Sequence, residues 1–298
     1  MNARIWMMAA RPRTLPAAIA PVLVGTAAAW VQIERDGGSF RVGALIAALV
    51  GSIFIQIGTN LANDYSDAKR GADTDDRLGP VRVTAQGLVA PRRVLHATWL
   101  AFAVAVVAGA YLTYVAGPLI LVIGVASIIA GVLYTGGPRP YGYAGLGELF
   151  VFLFFGLVAV NGSYYVQLED LAALPLWLSV GVGFLSSAIL VVNNVRDLDT
   201  DRRAGKMTLA VRLGRQRTRG LYIAFVAGGY VAAALGLLLA DGPALGLLCL
   251  LSVPLAIKPA RAVLTRVDGP SLNGALAGTG ALLGAYSVLL ALGLVIAA

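Results

Sequence analysis

The chain predicts an all-α polytopic membrane protein, with nine transmembrane helices bundled around a central cavity. Three observations lead there. Of its 298 residues, 58% are hydrophobic and only 13% are charged, and the mean hydropathy of +0.80 lies outside the range of soluble domains. Apolar windows of about 20 residues, the length a helix needs to cross about 30 Å of hydrocarbon, recur from end to end. These windows are continuously apolar and do not alternate with period two, which favours helices over a barrel, the two structures that satisfy their own backbone in lipid.

Taken in order, the spans are justified by their length and by the charges between them. The first, 14 to 33, follows Arg4, Arg11 and Arg13 with no credible cleavage site, so it is expected to stay rather than act as a signal peptide. The second, 42 to 63, runs into Lys69, Arg70, Arg77, Arg82, Arg92 and Arg93 before the third, 93 to 113. The fourth, 117 to 135, leads to Arg139, and the fifth is 146 to 167. The sixth, 175 to 195, opens on Arg196, Arg202, Arg203, Lys206, Arg212, Arg215, Arg217 and Arg219 ahead of the seventh, 219 to 240. The eighth, 243 to 263, is followed by the ninth, 273 to 296, with Lys258, Arg261 and Arg266 around the connection. With the N-terminus inside, all of the 23 Lys and Arg except Arg35 and Arg41 fall on the inner side. The expectation is a multi-pass protein of the cell (inner or plasma) membrane, N-terminus cytoplasmic and C-terminus outside, forming a single domain over 1–298.

The net charge of +8 is therefore mostly topology and contact with anionic membrane lipid, and no nucleic-acid partner is implied. The single Cys249 cannot build a disulfide or a thiolate metal site, and His96 reads as an interfacial residue.

Two inner connections are long and polar, about 64 to 92 and 196 to 218, and the chemistry is expected there. "NDYSDAKRGADTDDRLGPVR" begins with Asn63 ahead of Asp64 and Asp67; "NNVRDLDTDRRAGKMTLAVR" begins with Asn193 ahead of Asp197 and Asp201. Asn63 and Asn193 are 130 residues apart, a weak internal repeat that would let two sites face each other. Steps of four place these side chains on one face of a helix. More than half of the 15 acids, namely Asp64, Asp67, Asp73, Asp75, Asp76, Asp197, Asp199 and Asp201, lie in the two segments, and stacked like charges require a cation among them. Oxygen-only donors without nearby Cys or His favour Mg²⁺. Arg70, Arg77, Arg82, Arg196, Lys206 and Arg212 are donors of the kind a polyphosphate needs. Acids for metal and basic groups for phosphate, facing an apolar bundle, describe a site for an amphiphile with a diphosphate head.

"NDYSD" and "NNVRDLDTD" resemble the two Asp-rich motifs of the UbiA superfamily of intramembrane aromatic prenyltransferases, a likeness that covers essentially the whole chain. "ARPRTLPAAIAPVLVGTAAAW", "NLANDYSDAKRGADTDDRLGPVRVTAQGLV" and "LYTGGPRPYGYAGLGELFVFLFFGLVAVNG" are similar to the branch that prenylates 1,4-dihydroxy-2-naphthoate in menaquinone biosynthesis, as is Gly71 where the wider superfamily carries a third Asp. The resemblance implies that Asn63, Asp64, Asp67, Asn193, Asp197 and Asp201 hold Mg²⁺ against polyprenyl diphosphate, with Arg77, Arg82, Lys206 and Arg212 on its oxygens. Arg139 would contact the substrate carboxylate or the diphosphate, and Glu148 would serve the aromatic substrate or handle a proton. A carbocation would form at the allylic carbon, and Tyr65, Tyr134, Tyr141, Tyr143 and Phe155 could face it. Residues 68 to 90, with Gly79, Pro80 and Gly87, would form a cap.

Two other classes bear on the reading. A secondary transporter also carries intramembrane acids, but near the midplane rather than at the inner ends of spans. A CDP-alcohol phosphotransferase would need a DGxxAR signature, which is absent. Within the superfamily, 4-hydroxybenzoate or homogentisate remains open as the acceptor.

Overall fold

The computed structural model describes residues 3–71, 78–79 and 81–298, and among these the regular structure is helical throughout. A short helix α1 (Ala3–Ala10) precedes α2 (Pro16–Asp36), α3 (Val42–Lys69), α4 (Pro91–Ala116) and α5 (Leu119–Leu133). Then come α6 (Gly147–Leu168), α7 (Ala173–Arg203), a five-residue helix α8 (Leu209–Leu213), α9 (Arg215–Leu239), α10 (Ala244–Thr265) and α11 (Gly269–Ile296).

Among the described residues, eight of these helices, α2, α3, α4, α6, α7, α9, α10 and α11, are long and apolar enough to cross a membrane. The expected fourth span is shorter: α5 has 15 residues, about 22 Å of rise. Gly117 at φ +86° ends α4 just ahead of it, and Tyr134 opens the polar loop behind it, so the chain leaves only that much helix between two turns. Its outward flank is apolar, with Val122 64% exposed.

Helices α3 and α7 run past the predicted ends of their spans. Intrahelical hydrogen bonding carries them to Lys69 and Arg203, so both acidic motifs sit on continuous helix rather than on loop. Apolar side chains on α4, α9 and α10, such as Val107, Leu238 and Leu251, point outward, as suits a lipid solvent. The interior is built on α2, α7 and α11, whose buried small and branched residues form one continuous cluster.

Helix α6 carries a π-helical stretch, Phe152–Val158, between two α-helical pieces. Gly156 permits α6 to touch α7 backbone to backbone: a Cβ there would lie 2.6 Å from Gly183 Cα and 2.7 Å from the Ser179 carbonyl oxygen. Neither atom can yield without moving a helix. Gly156→Ala is therefore expected to destabilise the bundle by about 1–3 kcal/mol, read as a lowered thermal midpoint in detergent; an unchanged midpoint would mean that the α6–α7 contact is loose.

Candidate active site

Both motifs open onto one chamber of about 460 Å³. Its lining includes Asn63 and Asp67 from α3, Asn193, Asn194, Arg196, Asp197 and Asp201 from α7, and Arg82 and Lys206 from the two long inner connections. The repeat seen in the sequence thus places its two halves around a shared space.

Asp67 is enclosed by three side chains. It is 1% exposed; its Oδ2 accepts from Arg82 Nη2 at 2.8 Å and lies 3.7 Å from Lys206 Nζ, and its Oδ1 accepts from the Tyr143 hydroxyl at 2.6 Å. The Lys206 ammonium also stands over the Tyr143 ring, 4.7 Å from its centroid. On the facing helix, Arg196 grips both oxygens of Asp197 at 2.8 and 2.6 Å and donates to Asn193 Oδ1 at 2.5 Å and to Asn273 Oδ1 at 2.7 Å. Asn63 Oδ1 accepts from Thr135 Oγ1 at 2.9 Å. The charges of Asp67 and Asp197 are tolerable here because each meets a cation of the same chain.

Asp64 faces away from this chamber. Its two oxygens accept from the backbone amides of Val83 and Thr84 at 3.0 and 2.9 Å, which pins the segment after the described gap onto α3. That segment, with Val83 and Val89, packs against Leu61 and against Ala9 of α1, so residues 81–90 are anchored by a carboxylate and an apolar cluster. Tyr65 belongs to the same apolar packing and not to the chamber.

Other predicted residues separate in the same way. Arg212 is exposed, and its Nε donates to the Met207 carbonyl at 3.1 Å. Arg139 is exposed in its loop, and neither arginine lines the chamber. Glu148, 4% exposed, lies behind the wall: Oε1 accepts from Asn194 Nδ2 at 2.7 Å, and Oε2 has no hydrogen-bond partner among the described residues. Arg77, Asp73, Asp75, Asp76 and Pro80 lie outside the described residues.

Asn273 was not singled out by the sequence. It sits near the start of α11, takes Arg196 at its carbonyl and donates its Nδ2 to the Leu78 carbonyl at 3.0 Å. A lone amide in an otherwise apolar last span was the available signal. Arg4, Arg11 and Thr14 also line the chamber, from a part of the chain where the basic residues had been attributed to topology alone.

The chamber continues into an apolar cavity of about 220 Å³ that shares Arg11, Thr14, Asn63, Tyr134, Asn193 and Leu276 with it. Tyr134, Tyr141 and Phe155 line this second space. The Tyr141 hydroxyl donates to the Ala130 carbonyl at 2.8 Å, and burial pushes its phenol above the usual range, so it stays protonated.

Among the described residues, no three carboxylates, histidines or cysteines converge closely enough to hold an ion by themselves. The donor set still fits Mg²⁺, which takes one or two carboxylates and fills its octahedron with waters and phosphate oxygens. Asp67, Asp197 and Asp201 with the amides of Asn63 and Asn193 are all oxygen donors lining the same chamber, from two facing helices.

Fold and chamber together define a membrane-embedded site for an amphiphile with an anionic head and an apolar tail. The profile of the UbiA prenyltransferase family matches residues 18–276, and the chain belongs to that family. It is 45% identical over 276 residues, 92% of this chain and 91% of the relative, to the 1,4-dihydroxy-2-naphthoate octaprenyltransferase of Mycobacterium tuberculosis. It is 39% identical over 269 residues, 88% of this chain and 86% of the relative, to the enzyme of the same name from Escherichia coli. A solved UbiA homolog from Archaeoglobus fulgidus has the same fold, with a TM-score of 0.68 at 14% identity over 98% of this chain and 99% of the other. The same homolog bound to GPP and Mg²⁺ gives 0.64 at 13% identity, over 96% and 99% of the two chains.

Because Asp64 holds backbone amides while Asp67 holds side chains, substitutions at the two are expected to differ. Asp64→Ala strands two amides, at about 1–3 kcal/mol each, and should expose residues 81–90 to limited proteolysis, whereas Asp67→Asn, which keeps a hydrogen-bonding side chain for Arg82 and Tyr143, should not. Equal cleavage of the two variants would count against this division of roles.

Proposed function

We propose that the chain transfers a polyprenyl group from polyprenyl diphosphate to 1,4-dihydroxy-2-naphthoate, releasing pyrophosphate and CO₂ and giving demethylmenaquinol. The observation that carries this reading is the 45% identity to the Mycobacterium tuberculosis octaprenyltransferase along nearly the full length of both chains. The chamber supports it, since a charged compartment that continues into an apolar one suits a diphosphate joined to a prenyl chain.

Arg82 and Lys206 receive the diphosphate, at the inner end of the bundle where both are enclosed rather than solvated. Asp67, Asp197 and Asp201, with Asn63 and Asn193, would hold Mg²⁺. When bound, the metal supplies positive charge that stabilises the departing pyrophosphate. The allylic C–O bond breaks with its electron pair going to the diphosphate, and charge develops on the allylic carbon. Tyr134 and Tyr141 offer neutral aromatic faces to that charge where chamber and apolar cavity meet, and the apolar walls keep water away. The electron-rich naphthoate ring then forms the new C–C bond, and the electrons of its bond to the carboxylate return to the ring as CO₂ leaves.

The inner face is cytoplasmic in this reading, with nine crossings that include α5. Arg41, one of the two basic residues assigned outside, is paired with Glu169 at 2.8 Å, and Arg35 donates to the Asp241 carbonyl at 2.6 Å, at the end away from the chamber.

The deciding experiment is product analysis of purified protein with Mg²⁺, a polyprenyl diphosphate and either 1,4-dihydroxy-2-naphthoate or 4-hydroxybenzoate. A decarboxylated prenyl naphthoquinol is expected. Product from 4-hydroxybenzoate alone would overturn the acceptor. Chelation should stop turnover and Mg²⁺ restore it. Asp67→Ala and Asp201→Ala should each lower kcat by at least about 10²-fold in folded protein, and normal turnover by either would remove it from the metal set. For topology, a membrane-impermeant thiol reagent should label Arg139→Cys only in opened cells and Asp170→Cys in intact ones; the reverse pattern would invert the protein.

A further inference from the structure

A third cavity of about 250 Å³ follows the apolar one, and the two share five lining residues: Ser52 and Ile55 of α3, Ser127 of α5, and Phe154 and Ala159 of α6. Three of these are small. The hydroxyls of Ser52 and Ser127 donate back to the Leu49 and Ile123 carbonyls of their own helices, which leaves an apolar surface at the junction. The bulk at the passage therefore comes from Phe154 and Ile55.

Phe154 is also the last member of an aromatic row. Tyr134 meets Tyr141 edge to face at 5.4 Å, Tyr141 stacks on Phe150 at 4.0 Å, and Phe150 stacks on Phe154 at 6.1 Å. The row begins at the wall of the charged chamber and ends at the passage. Stacking and the π-helical backbone at Phe152–Val158 hold the Phe154 ring in place. Beyond the passage, the third cavity is lined by Val106 and Leu121, each 56% exposed, and by Val125, 50% exposed, so it is open to the surrounding hydrocarbon.

We infer that Phe154, opposed by Ile55, is the specificity-determining residue for prenyl chain length. It sets the width a chain must clear to pass from the apolar cavity beside the chamber to the one that faces lipid. A short prenyl chain ends before the passage. A long one threads it, and further units then lie in hydrocarbon and contribute no selectivity. The inference rests on the prenyltransferase reading above.

The test compares geranyl diphosphate with octaprenyl diphosphate, both as substrates with 1,4-dihydroxy-2-naphthoate and as ligands in equilibrium binding without acceptor. Phe154→Trp narrows the passage and should lower the octaprenyl-to-geranyl ratio of kcat/KM, and of affinity, by about tenfold or more. Phe154→Ala should leave that ratio at or above the wild-type value. If Phe154→Trp does not fold, Ile55→Phe narrows the same passage from α3 and is read by the same ratio. A wild-type ratio in a folded narrowing variant overturns the inference. Naphthoate turnover with an unmoved ratio would leave the function standing and remove only the passage; no naphthoate product with a shifted binding ratio would do the reverse.

Discussion

The structure depends on Asp67 being enclosed without being isolated. A carboxylate taken out of water is costly unless charge and hydrogen bonds compensate it. Arg82, Lys206 and Tyr143 supply that compensation from three different connections: the one after α3, the one after α7 and the one between α5 and α6. One acid on a spanning helix thus draws three inner loops together and roofs the chamber. The Met207 amide, donating to the Tyr143 carbonyl at 3.0 Å, ties two of those loops directly.

The opposite wall repeats the device with different parts. Arg196, 2% exposed, binds Asp197 beside it, Asn193 a turn earlier and Asn273 on the last helix. Through Asn273, which also holds the Leu78 carbonyl, α11 is connected to the segment that follows the first motif. The two acidic motifs are therefore related in sequence but stabilised by unrelated neighbours. From this charged end the lining turns apolar within one continuous space, and that gradient is what an amphiphilic substrate requires.

Much of this was legible in the sequence because it rests on local rules. Hydrophobic length located the spans, and steps of four put Asn63 with Asp67, and Asn193 with Asp197 and Asp201, on single helix faces. Direction within a turn was less accessible. Asp64 is adjacent to Asn63, yet it points to the Val83 and Thr84 amides, because a helix turns by about 100° per residue and an immediate neighbour in sequence faces elsewhere. The resemblance puts Arg212 on the diphosphate and Arg139 on the diphosphate or the substrate carboxylate, whereas in this fold both lie at the surface beside the chamber rather than in its lining.

By itself the sequence determined the membrane class, the helical architecture and the two motifs. Each of these follows from composition or from spacing along one helix. Only the tertiary structure decided which acids share a chamber, that Asn273 joins them, that α5 is too short to match the other spans, and that α6 adopts a π-helical stretch beside Gly183. These depend on contacts between residues far apart in the chain. Backbone approach at Gly156 and the partnering of buried charge are set by what lies across the bundle, and the pattern along a single helix carries no record of that.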